Sequence, residues 1–132
     1  MKGVLFLLVA IAFLCLPGLV YAACVTPIED YNLTSSKTFC SGTYNLVDDG
    51  GDGVIRAAAN NVVMTCNGTV FMGDGSSGSV GVKINKPGFT MTGCTFVNFK
   101  YGVDSTVDGT DQTIDNSTFQ NMADSGFFSY GP

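Results

Sequence analysis

The chain repeats itself, and the spacing of that repeat limits its folds more than any other feature. Gly-Val occurs at Gly53-Val54, Gly81-Val82 and Gly102-Val103, and returns as Gly126-Phe127. A second column runs between these markers: Cys66 in Thr-Cys-Asn-Gly, Cys94 in Gly-Cys-Thr-Phe and Ser117 in Asn-Ser-Thr-Phe. The same interval separates Gly53 from Cys66 and Gly81 from Cys94, while Gly102 to Ser117 is two residues longer. The last two copies also match as Cys94-Thr95-Phe96-Val97-Asn98 against Ser117-Thr118-Phe119-Gln120-Asn121. Two columns with a period in the twenties are the mark of a solenoid, in which no single copy can bury its apolar face alone.

Inside each copy the apolar residues alternate. Val62, Met64 and Cys66 point one way, as do Phe89, Met91, Cys94 and Phe96 with a bend at Gly93. Ile114, Phe119 and Met122 continue the series in the next copy. Alternation over four or five residues, bounded by Gly, Asn and Asp, predicts short strands. Ala57-Ala58-Ala59 is read as a strand end or tight corner, because Asn60-Asn61 follows at once. Stacked in parallel about 4.8 Å apart, the copies would form one inner column of valines, methionines and phenylalanines. Each Gly of a Gly-Val pair then fits a corner where a side chain would clash or φ must be positive. The expected fold is all-β: a right-handed parallel β-helix (solenoid) of about four rungs.

The chain opens with Lys2, an apolar run from Val4 to Leu19, and Val20-Tyr21-Ala22, which reads as a signal peptide over residues 1–22. The run is shorter than the about 20 residues of a membrane span, so no membrane association is expected after cleavage. A secreted, cell-surface or periplasmic location follows. Residues 23–52 are read as an N-terminal cap with first strands, and residues 53–132 as rungs without a C-terminal cap. Gly131-Pro132 closes the sequence without a capping pattern, so the last rung is expected to offer an open edge to a stacking partner.

The net charge is −5, one unit more acidic once Lys2 is removed, and no basic cluster exists. Nucleic acid is therefore not an expected partner. Cys24, Cys40, Cys66 and Cys94 remain after cleavage, an even set that reads as disulfides with three connectivities. A Cys24–Cys40 bond would staple the cap. Cys66 and Cys94, at equivalent places on adjacent rungs, lie within bonding range or stack as buried thiols. With no His and no Cys-x-x-Cys, zinc is not expected.

Asn61-Val62-Val63-Met64-Thr65-Cys66-Asn67-Gly68 is followed by Gly88-Phe89-Thr90-Met91-Thr92-Gly93-Cys94-Thr95-Phe96-Val97-Asn98-Phe99 and by Tyr101-Gly102-Val103. This run resembles the right-handed parallel β-helix (pectate-lyase-like) superfamily, and within it exported proteins of the NosD-like, carbohydrate-binding and sugar-hydrolase (CASH) type. Those proteins open with paired cysteines, continue with an Asn-Val-x-Leu-Asp-Cys-Asn-Gly-like rung and follow with Asn-Cys-x-Ile rungs. Thr65 stands where they carry an acidic residue. The resemblance implies a protein concerned with polysaccharide.

Several clusters offer candidate sites. Asp48, Asp49 and Asp52, among glycines, would suit calcium, although an EF-hand-like loop would need a Glu near Ala59; without calcium they form a turn before a strand, and no other cofactor is expected. The segment 73–79 would protrude as a loop. Glycoside hydrolysis would draw on Asp104, Asp108, Asp111, Asp115 and Asp124, but no adjacent carboxylate pair occurs in the rungs. For a lyase only Arg56, Lys83 and Lys100 are basic, and none sits beside a carboxylate cluster in the repeats. Phe99, Tyr101, Phe127, Phe128 and Tyr130 recur near the Gly column, and Tyr101 and Tyr130, with Asp104, would bind sugar if they face outward. Thr90-Met91-Thr92 is a single Thr-x-Thr that the other rungs do not repeat, so no threonine ladder is read from it. Asn32, Asn67 and Asn116 begin Asn-x-Thr sequons, a residue type already expected at corners. The function expected is an exported, non-catalytic carbohydrate-binding or structural module; the alternative is a divergent or truncated polysaccharide lyase or hydrolase.

Overall fold

The computed structural model describes residues 23–107 and 111–130, and every regular element among them is a strand. The first turn holds β1 (Tyr31–Leu33), β2 (Lys37–Phe39) and β3 (Gly42–Asn45). The second holds β4 (Ile55–Ala57), β5 (Val63–Cys66) and β6 (Thr69–Met72). The third holds β7 (Val80–Ile84), β8 (Thr90–Thr92) and β9 (Thr95–Val97). The fourth holds β10 (Tyr101–Ser105), β11 (Thr113–Asp115) and β12 (Thr118–Gln120), and β13 (Ser125–Ser129) begins another. Every third strand pairs with its predecessor, giving sheets β1-β4-β7-β10-β13, β2-β5-β8-β11 and β3-β6-β9-β12. All the pairings are parallel. The molecule is a parallel β-solenoid of about four turns, as the repeat implies.

The strands are short because the chain must turn three times per coil. Asn and Gly make those corners. Asn98 and Asn121, one coil apart, both adopt left-handed φ values of 60° and 53°, and Gly93 and Asn116 do so at 71° and 46°. Asn tolerates this region because its short amide side chain bonds locally. Residues 31–45, set apart in the sequence as a cap with first strands, form a full first turn in register with the second. Below it, the Val25 N–H donates to Thr38 O at 2.8 Å and the Cys40 N–H donates to Val25 O at 3.0 Å. Both disulfides form, Cys24–Cys40 and Cys66–Cys94, each with Cα atoms 4.9 Å apart.

The core is a pile of phenylalanines. Phe71 stacks on Phe96 with ring centroids 4.7 Å apart, and Phe96 on Phe119 at 5.9 Å, with planes tilted by only 11° and 16°. The glycine column faces that pile. A Cβ on Gly81 would lie 2.6 Å from Phe96 Cδ1 and 2.5 Å from Gly102 O. Gly81, Gly102 and Gly126 are in register, and none of the three has a positive φ. Their role is close approach, not backbone freedom. Gly81→Ala is expected to cost about 2 kcal/mol through overpacking, read as a lower urea midpoint.

Gly53 does not belong to this column. Ile55 pairs with Val82, so Val54 lies opposite Gly81 and the Gly53-Val54 marker is one residue out of step. Gly53 instead takes a φ of 88° at the end of a turn, which delivers its N–H to Asp48 Oδ2 at 3.3 Å. At the other end of the solenoid the apolar column is only partly covered. Ile114, Phe119 and Met122 are half-buried, and Phe127 is 45 % exposed. Gln112, Ile114, Phe119 and Phe127 line a hollow of about 380 Å³ there.

Candidate functional site

The outer surface of the first sheet carries a cross-coil ladder. Register places Asn32, Arg56, Lys83, Asp104 and Phe128 over one another on β1, β4, β7, β10 and β13. The charges in this column are paired. Arg56 Nη2 bonds Asp30 at 3.0 Å and contacts Asp52, while Lys83 Nζ meets Asp104 Oδ2 at 2.5 Å. The sequence left Arg56 and Lys83 without carboxylate neighbours; the stacking of turns supplies them. Asp104 is only 4 % exposed, and its Oδ1 has no hydrogen-bond partner among the described residues. A buried carboxylate so placed is held by its cation, and removing Lys83 would leave it uncompensated.

Above this ion pair the surface becomes aromatic. The Tyr101 ring stacks on Phe128 at 4.9 Å with planes 29° apart, and Tyr130 meets Phe128 edge-on at 4.9 Å. Tyr101 is fixed at both ends: Lys100 Nζ lies 4.8 Å over its ring, and its hydroxyl donates to Asp124 Oδ2 at 3.3 Å. Tyr130 is 59 % exposed, while Tyr101 and Phe128 are half-buried. Tyr101, Asp104 and Tyr130, the three residues named from sequence, thus share one end of one sheet. Phe128 joins them. Asp124 and the Lys83–Asp104 pair were not legible as neighbours, because each contact spans more than twenty residues and no local pattern marks it. Of the other aromatics, Phe99 is buried in the core and Phe127 lies at the open end.

Asp48, Asp49 and Asp52 do not converge. Asp48 is 4 % exposed, and its carboxylate accepts N–H groups from Gly50, Gly51, Gly53 and Val80 at 3.3, 3.0, 3.3 and 2.8 Å. Asp52 turns to Arg56, and Asp49 is exposed. Among the described residues no group of three or more His, Cys, Asp or Glu is arranged to hold a metal ion. In the 73–79 loop the Ser76 N–H donates to Asp74 Oδ1 at 2.9 Å, which holds that carboxyl below its ordinary range. The turn gains from this above the ordinary Asp pKa and loses it as pH falls through the lowered one.

The carboxylates considered for hydrolysis are dispersed. Asp104 is paired on the first sheet, Asp115 ends β11 on the second, Asp124 caps Tyr101, and Asp111 sits at a corner with φ 68°. Asp108 lies outside the described residues. Comparison with family models, with curated proteins and with solved structures gave no match to this chain.

Proposed function

We propose that the chain is an exported, non-catalytic β-helix module that binds carbohydrate on the Tyr101–Phe128–Tyr130 cluster. One observation carries this reading: Tyr101 and Tyr130 both pack on Phe128, one of the rings open to solvent, with a cation and a carboxylate at their margin. A pyranose ring offers an apolar C–H face to a tyrosine and hydroxyls to its surroundings, so an amphipathic ring with polar neighbours suits it. The likeness of residues 61–68 and 88–99 to NosD-like and CASH-type rungs supports the same reading. So does the signal-peptide pattern of residues 1–22, joined to two disulfides that suit an oxidising compartment. Among the described residues β11, β12 and β13 are the last strands of their sheets, and a stacking partner would add its strand there.

The test is retention of the oxidised mature chain on a panel of immobilised polysaccharides. Wild type is expected to be retained by at least one. Tyr130→Ala is expected to weaken that retention about tenfold or more, equivalent to about 1.4 kcal/mol, with an unchanged urea midpoint because Tyr130 is not in the core. Absence of retention across neutral and acidic polysaccharides would retire the proposal. Release of reducing ends or unsaturated sugars would replace it with the enzyme reading.

A further inference from the structure

The second sheet carries a feature that the sequence conceals. Pairing of β2, β5, β8 and β11 brings Thr38, Thr65, Thr92 and Asp115 into one column, and Val63, Thr90 and Thr113 into another. Ser36 precedes β2 beneath Val63, and its Oγ accepts the Val63 N–H at 2.9 Å. Met64 and Met91, between the columns, and Phe39 and Cys66, beside them, are buried, so the two columns face out; Lys37, between Ser36 and Thr38 in the first turn, is half-buried. Thr-x-Thr occurs once in the chain, yet the fold assembles a two-column array from Thr90-Met91-Thr92 and its neighbours above and below.

The array repeats in two directions. Successive turns are about 4.8 Å apart, and alternate residues along a parallel strand about 6.6 Å apart. Each threonine site presents a γ-methyl and a hydroxyl on a rigid backbone. The Cys66–Cys94 bond clamps the second turn to the third beneath the array. Among the described residues no hydrogen bond within the protein uses the hydroxyls of Thr38, Thr65, Thr90, Thr92 or Thr113. A shallow depression of about 290 Å³ borders Ser36, Lys37, Thr38, Val63 and Thr65, and Thr90, Thr92 and Thr113 extend the array beyond it.

The chemistry of the face narrows its partner. It holds no aromatic ring for a sugar, its charges are Lys37 in the first turn and Asp115 in the fourth, and the ion pairs of the described residues lie on the first sheet. A peptide or a single glycan chain repeats in one direction. A surface that repeats in two directions is matched by a crystalline solid. Hydroxyls free to bond water, alternating with methyls that confine water between them, suit one built of water itself. We propose that the outer face of β2-β5-β8-β11 binds the surface of ice, with Thr65, Thr90 and Thr92 at its centre.

The oxidised mature chain is placed ahead of a slowly advancing ice front, and its partition is compared with that of a non-binding control protein. Enrichment in the ice, with faceting of single crystals, is expected for wild type. Thr65→Tyr and Thr92→Lys, each made separately, are expected to lose that enrichment while keeping the wild-type urea midpoint. Tyr130→Ala, on the other sheet, is expected to keep it, so failure here and failure of the carbohydrate reading are distinguishable. Exclusion of wild type from ice to the level of the control would overturn the proposal. Equal partition of wild type and both threonine variants would do the same.

Discussion

Asp48→Ala is expected to lower stability by about 4 kcal/mol, the largest effect of any single substitution considered. The carboxylate is buried and accepts four backbone N–H groups, three from the turn it heads and one from Val80, a full coil later. An alanine would orphan the Gly53 and Val80 donors, whose bonds are buried, and each buried unsatisfied donor costs about 1–3 kcal/mol. Two buried donors at about 2 kcal/mol each give about 4 kcal/mol, and the part-buried Gly50 and Gly51 groups add little. A domain of this size is stable by only about 5–15 kcal/mol, so the variant would stand near the limit of folding. Urea unfolding of the oxidised protein measures the difference. Asp48→Asn, which keeps one carbonyl acceptor, is expected between the two. A loss under about 1 kcal/mol for Asp48→Ala would show that water reaches the turn and that the carboxylate is not its organiser.

Removing the Cys66–Cys94 bond is the second large effect. The bond closes a segment with sequence separation 28, for which loop-closure entropy gives about 3.6 kcal/mol. Both sulfurs lie in the core, so the Cys66→Ala/Cys94→Ala variant also loses packing. The Cys24–Cys40 bond has separation 16 and pins a short segment that pairs with the base of β2 through a single bridge at Val25. Its loss is expected to fray residues 23–26 and to leave the coil standing. Reductant added to wild type is expected to lower its unfolding midpoint, as Cys66→Ala/Cys94→Ala does, while Cys24→Ala/Cys40→Ala shifts it less. If the two double variants unfold at one midpoint, the bond between coils carries no special weight.

Much of the candidate site was open to reading and part was not. Tyr101, Asp104 and Tyr130 are near one another in a repeat whose period is visible, so their meeting on one sheet was within reach. That Tyr130 is the open ring follows from Phe128 lying between it and Tyr101, which depends on stacking geometry. The calcium reading of Asp48, Asp49 and Asp52 came from carboxylates crowded in sequence. In space the first is taken up by backbone donors and the third by Arg56.

Local covalent geometry accounts for what the residues alone disclose. Side chains alternate along a strand, so Val62, Met64 and Cys66 announced an inner face. Close approach demands glycine, so Gly81, Gly102 and Gly126 announced a column against the phenylalanines. Register between coils obeys a different rule, since it depends on how many residues each corner consumes. Between Cys66 and Val70 the second turn spends three residues, whereas the third passes from Gly93 to Thr95 through Cys94 alone. Equal intervals along the chain are therefore not equal positions around the coil. Ile55 pairs with Val82, which puts Gly53 one residue out of its column, while Thr38, Thr65 and Thr92, evenly spaced along the chain, share one and Lys83 meets Asp104. Hydrogen bonding between whole coils sets those alignments, and no interval counted within one coil contains them.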